Sequence, residues 1–133
     1  MEIRVFVNPE GSPDGGCAAV TQKACPARKG YHVIGLDEPV ALREGDTFSI
    51  VVTYSAEGGG QSGCAPVESE HFPDFELPPG LKHTAEFRVT AHPGESFILR
   101  DGRWLDLADG TTAALFGKDY PVGNIGIKAL LEP

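Results

Sequence analysis

The chain has 133 residues, of which 41% are hydrophobic and 23% charged, enough for one globular domain around a single core. Its net charge of -8 opposes phosphate backbones and anionic headgroups, so nucleic acid and membrane surfaces are not expected partners. Membrane insertion is not expected either, because no run approaches the roughly 20 apolar residues that cross a bilayer.

The first half of the chain shows the period-two alternation of short strands, and frequent glycines and prolines disfavour helices. Four strands are predicted here, at residues 3–7, 31–36, 39–42 and 47–55. The Gly- and Pro-rich residues 8–30 are interpreted as one long loop, and Glu44-Gly45-Asp46 as a turn. Met1 leads directly into the first strand without a signal peptide, so we expect a piece excised from a larger protein.

The second half continues this pattern. It contains two short predicted strands at residues 64–70 and 84–91, a hairpin at 95–107 and a last strand at 124–132. Residues 71–80 are predicted to be irregular, because prolines remove ladder donors. About eight short strands separated by turns are typical of an all-β fold, an antiparallel β-sandwich of jelly-roll or immunoglobulin-like form. Without an internal repeat or a domain-sized linker, residues 1–133 are predicted to form a single domain.

The stretch "ESFILRDGRWLDL", residues 95–107, carries the strongest local pattern. Asp101-Gly102 between apolar runs predicts a two-residue hairpin turn, because glycine accepts a positive φ without strain. The turn sets four opposed pairs: Phe97 with Asp106, Ile98 with Leu105, Leu99 with Trp104, and Arg100 with Arg103. Alternation then groups four side chains on one face: Phe97, Leu99, Trp104 and Asp106. The two arginines are expected at a solvated tip.

Trp104 is the only tryptophan of the chain and has two interpretations. Its ring lies in the sandwich core, or it forms a platform on which a sugar stacks. Asp106 is likewise either an acceptor for backbone donors at a strand end or a carboxylate that grips a ligand. Phe116 and Tyr120 are further candidate ligand-binding residues, because they lie in a loop before the last strand and such loops display binding groups on a rigid frame.

Cysteines and aspartates leave two questions open. Three cysteines permit one disulfide with a spare thiol, or none: Cys17, Cys25 and Cys64. Cys64 lacks the sequence context of a papain-type nucleophile, and no cysteine or histidine has zinc-finger spacing, so no catalytic residue and no metal site is assigned. Calcium stays an alternative, since aspartates lie near glycines in predicted turns. These aspartates are Asp101, Asp106, Asp109 and Asp119. No other cofactor is expected.

Four stretches carry a family resemblance, in this order along most of the chain: "GYHVIGLDEPVALREGDTFSIVV" (30–52), "PVE" (66–68), "GESFILRDGRWLDL" (94–107) and "GNIGIKALLE" (123–132). Together they resemble the lectin-like β-sandwich domain that accompanies papain-type (C1) cysteine peptidases in bacterial secreted and cell-surface proteins. The chain departs from that pattern at Leu99, where the family often has serine, and at Gly126, where it often has cysteine. The segment bearing Cys17 and Cys25 lies outside the pattern.

The resemblance implies a non-catalytic accessory or binding module, located outside the cell or at the cell surface. Its implied partners are the peptidase domain of its parent chain, or a glycan or protein ligand. A purely structural domain that packs on its parent protein is the alternative, and there the aromatic residues are core. A small independent hydrolase ranks below both.

Overall fold

The computed structural model describes residues 1–28, 30–55, 66–69, 89–110 and 122–132. Within these ranges the chain forms seven β-strands and no α-helix, and it contains no helix of membrane-spanning length and apolarity. Every strand pair is antiparallel, in one sheet of three strands and two sheets of two. The predicted all-β class is therefore confirmed, and the antiparallel sheets are consistent with a β-sandwich.

The strands fall into two compact units, Met1–Cys64 and Ala65–Pro133. The first unit contains three strands: β1 (Glu2–Val7), β2 (Val20–Lys23) and β3 (Phe48–Thr53). The second unit contains four: β4 (Val67–Ser69), β5 (Phe97–Arg100), β6 (Arg103–Asp106) and β7 (Val122–Ile125). That residues 1–133 form a single domain stays a prediction.

β1 is the middle strand of the first sheet, whose order is β2-β1-β3, and it is buried on both faces. Ile3 and Val5 are 8% and 5% exposed on one face, and Phe6 is 3% exposed on the other. On the Phe6 face, the hydroxyl of Ser49 donates a hydrogen bond to the carbonyl of Pro13, so the loop after β1 covers that side. The core of this unit therefore lies around its central strand.

Residues 8–30 do not form one long loop, and that prediction is wrong. β2 lies within them and pairs with β1 from Glu2↔Lys23 to Val5↔Val20. Its β-branched residues Val20 and Thr21 suit a pleated sheet. With only four residues, β2 is too short to stand out as an alternating run among surrounding glycines and prolines. The order of strands follows from this pairing, because β2 occupies the side of β1 opposite β3.

Cys17 and Cys25 flank β2, and both thiols are exposed and free. The four residues of β2 alone span about 13 Å at the rise of an extended strand. A disulfide requires Cα atoms within about 7 Å, so these two cysteines of one chain do not bond to each other. Cys64 lies outside the described residues.

Residues 31–42 form neither of the two predicted strands. Tyr31 and Val33 are 77% and 72% exposed, although their alternation is that of a strand. The side chain of Gln22 holds this segment instead: its Nε2 donates to the carbonyl of Gly35 at 3.0 Å, and its Oε1 accepts from the backbone N–H of Asp37 at 2.8 Å. The segment is thus attached through one side chain and not through a backbone ladder.

The predicted turn at residues 44–46 is confirmed. Gly45 has φ +89°, and the N–H of Asp46 donates to the carbonyl of Arg43 at 3.0 Å. The carboxylate of Asp46 accepts from Asn8 Nδ2 at 2.8 Å and from the Arg43 N–H at 2.8 Å. These bonds, that of Asn8 foremost, hold the pKa of Asp46 below its usual value. The turn is therefore fixed to the end of β1, where Asn8 lies.

In the second unit β4 pairs with β7, and β5 pairs with β6. β4 confirms a strand within residues 64–70, but the last strand is shorter than predicted. It ends at Ile125, where the N–H of Ile127 turns back to the Ile125 carbonyl at 2.7 Å. Leu130 and Leu131, predicted to continue it, are 73% and 68% exposed. The strand predicted at 84–91 falls mostly outside the described residues, and the irregular segment at 71–80 does so entirely.

Candidate ligand-binding site

β5 and β6 form the hairpin that the Asp101-Gly102 pair predicts. Both turn residues have positive φ, +50° and +76°, the backbone of a two-residue turn that matches strand twist. All four predicted pairs are confirmed: Phe97↔Asp106, Ile98↔Leu105, Leu99↔Trp104 and Arg100↔Arg103. The arginines are exposed at the tip, as predicted, and Arg100 Nε lies 3.8 Å from the carboxylate of the 93% exposed Asp101.

One face of the hairpin presents Phe97, Leu99, Trp104 and Asp106, which we call the hairpin platform. Leu99 is 52% exposed, whereas Phe97 and Trp104 are half-buried. On the opposite face, Ile98 and Leu105 are half-buried, and Leu107, just beyond β6, is 3% exposed. The opposite face is thus the more covered one, and on the platform Leu99 is the most exposed large apolar side chain of the hairpin.

The exposure of Trp104 is intermediate between that of a core ring and that of a solvated binding platform, the two interpretations that the sequence allows. Its half-buried ring is neither sealed in a core nor fully solvated. Leu99, the residue opposite it across the strands, is one of the most exposed large apolar residues described in this unit. Part of Trp104 is thus accessible beside an exposed leucine, and accessible indole surface can pack on a flat ligand.

Asp106 holds the base of the hairpin. Its Oδ2 accepts a hydrogen bond from the N–H of Gly94 at 2.6 Å, and its Oδ1 accepts from the N–H of Ala108 at 2.9 Å. Gly94 has φ +88° in the turn that leads into β5. Both carboxylate oxygens are therefore occupied by backbone donors, so Asp106 positions the entry and exit of the hairpin.

Glu95 lies near Asp106 at the base of the hairpin, and no sequence pattern marks it. Its Oε2 accepts from the N–H of His92 at 3.0 Å and from Asn124 Nδ2 at 3.3 Å. The His92 backbone bond is the main cause that lowers the pKa of Glu95; the Asn124 bond acts in the same sense, and desolvation and nearby Asp106 oppose it. An ionised, exposed carboxylate therefore lies next to the platform at neutral pH.

Asn124 and Ser96 link the hairpin to β7. Ser96 Oγ donates to Asn124 Oδ1 at 3.0 Å and accepts from the Ile125 N–H at 3.3 Å. The amide Nδ2 of Asn124 also donates to the carbonyl of Thr90 at 3.3 Å. No short sequence motif marks this network, because its partners lie about 30 residues apart in the chain, 28 for Ser96 and Asn124. It fixes Glu95 beside the platform.

A family model described as "Lectin like domain" matches residues 1–130. The chain belongs to the lectin-like domain family. The lectin-like part of the resemblance is thereby confirmed, and membership indicates a binding module. Comparisons of this lectin-like domain with curated proteins and with solved structures gave no match.

The other candidate residues are unevenly placed in the lectin-like domain. Trp104 and Asp106 share the platform, whereas Phe116, Tyr120 and Asp119 lie outside the described residues. Asp109 follows β6, and its N–H donates to the Asp106 carbonyl at 3.2 Å. In the described part of the chain, no three His, Cys, Asp or Glu side chains are grouped closely enough to hold a metal ion.

Proposed function

We propose that this lectin-like domain is a non-catalytic module that binds carbohydrate through the hairpin platform. The observation that carries the proposal is the half-buried Trp104 beside the exposed Leu99, with the ionised Glu95 near Asp106 at the base of the hairpin. A partly exposed aromatic ring and a few fixed polar groups are the two kinds of contact that small-ligand sites use to bind and orient a ligand.

The chemistry of a sugar ring fits these groups. The C–H face of a pyranose is apolar and packs on an indole, and its edge carries hydroxyl donors. Glu95 Oε2 is occupied by His92 and Asn124, while Oε1 accepts no hydrogen bond from the residues that the structure describes. That oxygen can accept a sugar hydroxyl, and a charged acceptor gives the shorter and stronger type of bond.

The setting that we propose comes from the four resembling stretches. The domain acts outside the cell or at the cell surface, as an accessory to a papain-type cysteine peptidase in its parent chain. Bacterial cell-wall glycans are the ligands that such a location offers. A net charge of -8 disfavours strongly anionic polymers, so neutral or amino sugars are the better class.

The first test measures binding of the whole chain to a panel of bacterial cell walls and purified glycans, for the wild type and Trp104→Ala. We expect saturable wild-type binding that is weakened at least about tenfold in the variant, the roughly 1.4 kcal/mol or more of a stacked aromatic anchor. Leu130→Ala is the matched control, because it removes a 73% exposed apolar side chain of the same unit. Circular dichroism confirms that both variants fold.

Partial burial of Trp104 favours a second function, in which the platform packs on the parent protein as a structural surface. Since Trp104 is the only tryptophan, quenching of its fluorescence by iodide distinguishes the two. A quenched ring that cell-wall glycan protects supports sugar binding. A ring that iodide quenches but no glycan protects, with no binding to any member of the panel, contradicts it and leaves the structural function.

A further inference from the structure

The turn of the hairpin consists of Asp101 and Gly102, and an aspartate followed by glycine is a chemically reactive pair. The main-chain nitrogen of the glycine can attack the side-chain carboxyl group of the aspartate, which closes a five-membered succinimide ring. Glycine favours this reaction because it has no side chain to hinder its nitrogen and leaves the backbone free to rotate. The chain contains three such pairs, which begin at Asp14, Asp101 and Asp109.

Asp101 belongs to the least restrained of the three pairs. Its side chain is 93% exposed, and neither its own N–H nor that of Gly102 donates a hydrogen bond to a residue that the structure describes. In each of the other two pairs one of the corresponding amides is bonded. The Gly15 N–H donates to the carbonyl three residues before it at 2.9 Å, and the Asp109 N–H donates to the Asp106 carbonyl at 3.2 Å.

The strand pair next to this turn is a weak one. Arg100 lies opposite Arg103, both are exposed, and like charges directly opposite each other destabilise an antiparallel pair. The Asp101 carboxylate lies 3.8 Å from Arg100 Nε, but an ion pair between such exposed groups contributes little. Asp101 also has φ +50°, which is uncommon for a residue with a side chain. These features favour local opening of the tip, and ring closure needs that opening because the Asp101 backbone must rotate.

We propose that Asp101-Gly102 is a modification site, at which the chain converts spontaneously to isoaspartate and thereby disrupts the hairpin platform. In the first step the Gly102 nitrogen bonds to the side-chain carboxyl carbon of Asp101, and one molecule of water leaves. In the second step water adds to the main-chain carbonyl carbon of Asp101, and the bond from that carbon to the Gly102 nitrogen breaks. The main chain then continues through the former side chain. Water is the only co-reactant, and nothing is oxidised or reduced.

The product has a longer main chain at the turn, because the former side-chain methylene now belongs to the backbone. The two-residue turn sets the register of β5 and β6, and its backbone twist matches that of the flanking strands. A turn with one more main-chain carbon no longer has that geometry, so we expect Leu99 and Trp104 to lose their opposed positions. The loss of sugar binding that follows rests on the proposed function, whereas the modification and the loss of register do not.

The first experiment incubates the whole wild-type chain at neutral pH and physiological temperature and samples it over several weeks. Each sample is digested, and electron-transfer mass spectrometry distinguishes isoaspartate from aspartate at each position. We expect isoaspartate to accumulate several-fold faster at Asp101 than at Asp14 or Asp109, which serve as internal controls in the same digest. A rate at Asp101 that is equal to or lower than that of either control would overturn the proposal.

Asp101→Gly is the matched variant, because a Gly-Gly pair also forms this type of turn and has no carboxyl group that could close the ring. Circular dichroism confirms its fold. Trp104 is the only tryptophan, so its fluorescence spectrum reports on the hairpin. On incubation we expect the wild-type spectrum to shift in proportion to the isoaspartate at Asp101, and the variant spectrum to stay constant. A shift in both proteins, or in neither, contradicts the effect on the platform.

Binding to cell-wall glycan is measured on the same samples. We expect the wild type to lose binding in proportion to its isoaspartate content, and Asp101→Gly to retain binding. If the fresh wild type binds no glycan, the proposed function fails, and the mass and fluorescence spectra still decide the modification. If incubated wild type that contains isoaspartate at Asp101 binds as well as fresh protein, the effect on the platform is contradicted.

Discussion

At the scale of single residues, Glu95 has a pKa that the fold lowers, mainly through the His92 N–H and also through Asn124. In the unfolded chain its pKa returns to about 4.3. On acidification the unfolded state therefore takes up the proton first. The stabilisation from Glu95 is present above about pH 4.3 and is lost as pH falls through the lower folded value. We expect Glu95→Gln to lose less stability on acidification than the wild type, measured as urea midpoints over a pH series.

Glu132→Gln is the matched control, because it removes an exposed carboxylate outside this network. On acidification its urea midpoint should fall as much as that of the wild type. If the urea midpoint of Glu95→Gln also falls as much as that of the wild type, the role assigned to Glu95 is contradicted. Sequence alone could not predict that role. Asn124, which donates to Glu95, lies 29 residues further along the chain, and only the pairing of distant strands brings the two together.

At the scale of elements, β7 passes so close to its neighbours that Gly123 has no room for a side chain. A Cβ there would lie 2.8 Å from Val89 Cβ and 3.1 Å from Glu68 Cβ. Gly123→Ala should therefore destabilise the protein by about 1–3 kcal/mol, the usual cost of overpacking a buried site. Denaturant unfolding measures this loss. Gly110→Ala is the control, since a Cβ at Gly110 meets nothing within 4 Å, and equal losses would contradict the argument.

The elements that could be predicted are those whose conformation is set by the residues of the element itself. Asp101-Gly102 fixes its turn through two positive φ values, and the register of β5 and β6 follows from that turn. Alternation without a turn was less informative. Residues 31–36 alternate yet have no ladder, whereas β2, which has one, offers only four residues of pattern. A strand needs a partner, and a single sequence does not state which segment supplies it.

At the scale of the whole molecule, composition and periodicity were sufficient for the all-β class, because both are averages over the chain. The candidate site was only half predictable. Trp104 and its companions on the platform follow from alternation, but the degree to which the ring is buried depends on what packs on the other side. The packing around the ring is a property of the tertiary structure, and it decides whether the platform is a binding surface or a core face.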